Sequence, residues 1–147
     1  VPRVGPPQKI VQTPTEVLLI YQAGNMVRVV PIDGRPHDPI KSQDTTWYGD
    51  AIGKWEGDTL VVDIIGFNDE SWLGWPGWIH SNEMKGVERF RREGNTLYYA
   101  FTVEDEMLAE PWVNPERPIQ LNTSEAPIAE DPACVQDERP MVNRERG

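Results

Sequence analysis

A chain with one cysteine, Cys134, cannot close a disulfide on itself, so packing and hydrogen bonding have to hold the fold. Long apolar runs are also missing. No stretch approaches the roughly 18 residues that span a bilayer. The opening residues, Val1 to Pro7, have no signal-peptide core and no initial Met, as expected of a processed or excised soluble segment. Positive charge is scarce, 14 Lys and Arg against 24 Asp and Glu, and the net charge is −10. With no basic run to neutralise a line of phosphates, neither nucleic acid nor an anionic membrane is an expected partner. The local cluster Arg89, Arg91 and Arg92 lies beside Glu88 and Glu93 and reads as cross-strand ion pairs. With two histidines and no His-x-His, His-Glu-x-x-His or paired-cysteine spacing, no metal site is expected. A glycine-rich phosphate loop before a helix and a Gly-x-Ser-x-Gly elbow are absent too. These absences disfavour an organic cofactor, nucleotide chemistry and serine-hydrolase chemistry.

What is present is a succession of short apolar runs divided by turn residues. Gln8 to Thr13 alternates and stops at Pro14. Val17–Tyr21 and Met26–Val30 flank Ala23-Gly24-Asn25 as the arms of a hairpin. The turn Glu56-Gly57-Asp58 closes a second hairpin and leads into Thr59 to Phe67. The same recipe recurs at Glu93-Gly94-Asn95. Between these hairpins lies a loop with Trp72, Trp75 and Trp78 at every third position. A single short helical turn is expected near Glu104 to Ala109, and a last strand over Pro118 to Leu121. The pattern predicts an all-β fold: a small antiparallel β-barrel of lipocalin type, or a β-sandwich, over residues 1–121. An acidic, proline-rich, extended or partly disordered tail follows over 122–147.

Several runs form a specific set: Pro7 to Pro14, Asp33-Gly-Arg-Pro-His37, Trp55 to Asp63 with Gly66-Phe-Asn-Asp69, and His80-Ser81 followed by Glu88-Arg-Phe90. On these motifs the chain resembles a family of uncharacterised, mostly exported bacterial proteins with no settled activity. The resemblance covers residues 7 to 113 and implies bacterial origin and a periplasmic or secreted location. Family-like sequences carry a further histidine shortly before the Glu-Arg-Phe run. Lys85 stands there in this chain, which weakens any metal reading carried over from them.

Strand alternation singles out the charges that could do chemistry. Asp63 shares a face with Val61, Ile65 and Phe67 and reads as a strand-end carboxylate at a rim or as a partly buried one; Glu88 shares a face with Phe90, opposite the arginines, so Glu88 is expected inside. Arg28, between Met26 and Val30 at period two, is a partner for either carboxylate. These groups read as a register-fixing ion pair or as ligand-orienting acids. His80 closes the tryptophan loop and could carry protons, whereas His37, held between prolines, reads as a loop-fixing or ligand-contacting residue. Flat indoles suit stacking on sugars or aromatic molecules.

One functional expectation is a small-molecule enzyme without an organic cofactor: a hydrolase, lyase, isomerase or cyclase for an apolar or glycosidic ligand in a barrel cavity. His80, Glu88 and Asp63 would be catalytic, with Trp72, Trp75, Tyr48, Arg28 and His37 binding the ligand. A non-catalytic ligand-binding protein, and an assembly module that forms homo-oligomers through strand faces and tail, are the alternatives.

Overall fold

A computed structural model describes residues 6–73 and 77–123. Eight strands run in chain order: β1 Lys9–Gln12, β2 Glu16–Tyr21, β3 Met26–Pro31, β4 Asp50–Glu56, β5 Thr59–Ile65, β6 Lys85–Glu93, β7 Thr96–Glu104 and β8 Trp112–Gln120. They make two antiparallel sheets, β1-β2-β3 and β4-β5-β6-β7-β8, each laid out in sequence order. The all-β expectation holds. Of the two architectures expected, the two-sheet arrangement is present, and among the described residues no ladder joins the sheets into a closed barrel.

Alternation decides which side of each strand meets the other sheet. Val17, Leu19 and Tyr21 on β2 and Val30 on β3 are buried. They face Leu60, Val62 and Ile64 on β5, Phe90 on β6, and Tyr99, Phe101 and Val103 on β7. Removing each such large side chain from water contributes about 1.5–3 kcal/mol, enough in sum to hold together two sheets that share no ladder. Close contact at one seam requires a missing side chain. A Cβ on Gly53 of β4 would lie 2.9 Å from both Val30 Cγ1 and Ile32 Cγ2, so β3 settles against β4 where glycine leaves room.

The hairpin turns are those the sequence announces. Gly57 and Gly94 take φ of +60° and +55°, the left-handed conformation that a tight hairpin needs. The outermost strand β8 contains Pro115 and Pro118, which cannot donate to a ladder, and a register irregularity falls opposite Tyr99 to Phe101. It begins six residues before the expected Pro118, because a proline that is disruptive in a central strand is tolerated at an edge.

Among the described residues helix is confined to a 3-10 turn at Ala23–Asn25 and to α1, Pro39–Gln43. Asp38 caps α1, its carboxylate accepting from Ile40 N at 2.9 Å, and Pro39 occupies the first turn. The helical turn expected near Glu104 to Ala109 is replaced by non-helical turns. There Asp105 spends its carboxylate on Met107 N and on Ser81 rather than capping a helix. No helix among the described residues is long and apolar enough to cross a membrane. Of the tail, residues 124–147 lie outside the described residues.

Candidate functional site

Between the sheets sits a polar group of four. Arg28 shares the inward face of its sheet with Leu19, its cross-strand neighbour, and Glu88 shares the inward face of the other with Val62. Arg28 Nη1 donates to Glu88 Oε2 at 2.8 Å and to Tyr21 Oη at 3.1 Å, while Tyr99 Oη donates to Glu88 Oε1 at 3.0 Å. Glu88 is 0% exposed and Arg28 6%. Burial alone would raise the Glu88 carboxyl, but the positive charges around it, the Arg28 guanidinium among them, prevail and hold it at about 2. The Tyr21 hydroxyl is pushed up to about 12, chiefly by burial and then by the Glu88 charge, and Tyr99 is raised for the same two reasons. At neutral pH the group is therefore a sealed ion pair between two neutral phenols. It suits fixing the relation of the sheets better than moving protons.

Asp63 lies on the other side of the same sheet. Its neighbours Val62 and Ile64 are buried, so it points outward, its side chain 52% exposed. This corrects the expectation that Asp63 and Glu88 serve one cavity: the alternation that buries one expels the other. His37 reaches Asp63 from the loop after β3, with Nδ1 2.9 Å from Asp50 Oδ2 and Nε2 3.2 Å from Asp63 Oδ2. Since ionised carboxylates only accept, a ring nitrogen that carries a proton donates to the one it faces, and the two contacts tie the loop across the outer ends of β4 and β5.

The third group belongs to the tryptophan loop. Leu73 N donates to Trp78 O at 2.7 Å and Leu73 is buried, so the loop is pinned at its neck. His80, 3% exposed, lies directly beyond. Its Nδ1 is 2.9 Å from the Ser81 carbonyl oxygen, which can only accept, so Nδ1 carries the proton. In the neutral ring Nε2 is then the acceptor, and it lies 2.8 Å from Ser71 Oγ, whose hydroxyl is placed to donate to it. Ser81 is itself anchored, its N and Oγ donating to Asp105 Oδ2 at 2.9 and 3.1 Å. Around this pair stand Trp72, 45% exposed, and Trp78, 51% exposed, the latter edge-on to Trp112 at 6.0 Å between ring centroids.

The structure thus brings Arg28 to Glu88 and His37 to Asp63, but distributes His80, Glu88 and Asp63 among three separately bonded groups. Tyr48 packs, partly buried, against the core, and Trp75 lies outside the described residues. Among the described residues no group of three or more His, Cys, Asp or Glu side chains is arranged to hold a metal ion. Sequence reasoning missed Tyr21 and Tyr99, although both fall at inward positions where a phenol needs a hydrogen-bond partner. It also missed Ser71 and Asp105, which nothing in local pattern links to His80, and gave Ser81 only as part of the His80-Ser81 motif. No family model, curated protein or solved structure matches the chain.

Proposed function

We propose that this chain is a small-molecule enzyme that works without an organic cofactor, a hydrolase for an apolar or glycosidic ligand, with His80 as the proton carrier. The observation that carries this reading is the fixed tautomer of His80. Nδ1–H is committed to the Ser81 carbonyl, leaving Nε2 as a base at the neck of a loop that displays two half-exposed indoles. Trp72 and Trp78 supply flat apolar faces on which a sugar or aromatic ring stacks. Compared with the sequence expectation, the carboxylates leave the mechanism. Glu88 serves the core and Asp63 the loop of His37. The motif resemblance, with its implied export, supports action in the periplasm or outside the cell.

That withdrawal of the carboxylates favours a second reading, a non-catalytic binding site at the same loop. Chromogenic aryl esters and aryl glycosides, tested with the wild type and with His80→Asn, separate the two. Under the enzyme reading the wild type turns over one class, and His80→Asn lowers kcat by about 10²–10⁴-fold at unchanged melting temperature. Quenching of tryptophan fluorescence by ligand with no turnover, equal in both proteins, would establish the binding module instead.

A further inference from the structure

We infer that Ser71 is a nucleophile, with His80 as its base, for acyl transfer from neutral esters that carry an aromatic or bulky apolar group. This inference rests on the proton-transfer reading above and adds the attacking atom and the substrate class. A serine hydroxyl becomes nucleophilic when a base is placed to take its proton as the new bond forms. Here Ser71 Oγ is 2.8 Å from His80 Nε2, within the reach that such a transfer needs, and the ring is held in the one tautomer that can accept. The Ser81 carbonyl oxygen on Nδ1–H plays the orienting part, and its own position is set by the two bonds from Ser81 to Asp105. Ser71 is only partly buried although its partner is almost fully so, which leaves the hydroxyl side of the pair open to a substrate and the imidazole shielded.

The chemistry balances with water as the sole co-reactant. Ser71 Oγ bonds to the ester carbonyl carbon, and its proton passes to His80 Nε2. The carbon–oxygen bond to the alcohol or phenol then breaks, and that leaving group departs with the proton from Nε2. A water molecule next attacks the acyl-serine, giving its proton to Nε2, and the Oγ–acyl bond breaks as Oγ recovers a proton. The products are a carboxylic acid and the free serine. Exposed Trp72, Trp78 and Ile79 beside the pair select apolar and aromatic substrates, and a net charge of −10 disfavours anionic ones.

A fluorophosphonate probe and p-nitrophenyl butyrate test this on the intact chain. Peptide mapping of the labelled wild type is expected to place the adduct on Ser71, and His80→Asn to remove it. Ser71→Ala is expected to lower ester hydrolysis on the order of a thousandfold or more, with its melting temperature measured alongside. An unlabelled protein, or an adduct mapped to any other residue, overturns the inference, and this readout on the wild type stands even if Ser71→Ala fails to fold. If folded Ser71→Ala keeps its rate while His80→Asn loses it, Ser71 is not the nucleophile but the proton-transfer reading survives. If both variants keep it, both readings fall.

Discussion

Replacing Arg28 by Met tests whether the inter-sheet ion pair is as sealed as its geometry implies. Met fills much the same volume but carries no charge, so the variant takes from the buried Glu88 carboxylate the guanidinium that donates to Oε2 and leaves the Tyr99 hydroxyl on Oε1. It also takes the donor away from Tyr21 Oη. Removing one member of a buried pair costs about 3–5 kcal/mol, because the surviving charge keeps its desolvation penalty and loses the attraction of that charge. At about 4 °C per kcal/mol for a domain of this size, the melting midpoint falls by roughly 12–20 °C. The double variant Arg28→Met/Glu88→Gln removes both charges and still offers Tyr99 an amide oxygen, so it is expected to be more stable than Arg28→Met alone. Calorimetry at pH 7, with urea unfolding followed by tryptophan fluorescence, measures all three proteins. A loss below about 1 kcal/mol in the single variant, or a double variant less stable than the single, would refute the claim that Glu88 depends on Arg28.

Two further outcomes follow from the same core. Because Tyr21 is raised to about 12 and Tyr99 also lies above its ordinary value, the folded state binds more protons than the unfolded one above pH 10. Stability contributed by these phenols is complete below pH 10 and is lost as pH rises toward 12. Phenolate absorbance should therefore appear together with unfolding, and early ionisation of all four tyrosines in still-folded protein would contradict it. At the seam of the sheets, Gly53→Ala places a methyl 2.9 Å from side-chain carbons of Val30 on β3 and of Ile32 just after it, so something must move, at a cost of about 1–3 kcal/mol. A denaturation midpoint at or above that of the wild type would show that β3 does not rest on Gly53.

Much of the fold could be read locally. The two Gly-containing turns announce β4–β5 and β6–β7 because both strand arms and turn chemistry are contiguous in sequence, and period-two alternation puts Glu88 inside and offers Arg28 as its partner. Where the outcome depended on tertiary placement, alternation was silent. It could not say that the sheets stay separate, nor which face of β5 meets the core when Leu60 to Ile65 is apolar on both sides, and so Asp63 was grouped with Glu88. The cap and first turn of α1 rest on Asp38-Pro39, in the stretch that sequence alone showed only as prolines around His37. Ser71 and His80 are nine residues apart across an irregular loop, a spacing with no periodic meaning. The neck bond from Leu73 to Trp78 and the anchoring of Ser81 on Asp105 flank the pair where the chain turns back.

The rims of the two sheets also bear on how copies of this chain behave in a crowded solution. At one extreme β1 offers only four residues, beginning at Lys9; at the other, β8 lacks amide hydrogens at Pro115 and Pro118. A neighbouring polypeptide lying alongside either would find too few donors or a repelling charge, and could not extend the ladder from molecule to molecule. About half of the described residues lie in strands, the conformation that fibrils stack, yet β1 and β8 are poor templates for that growth.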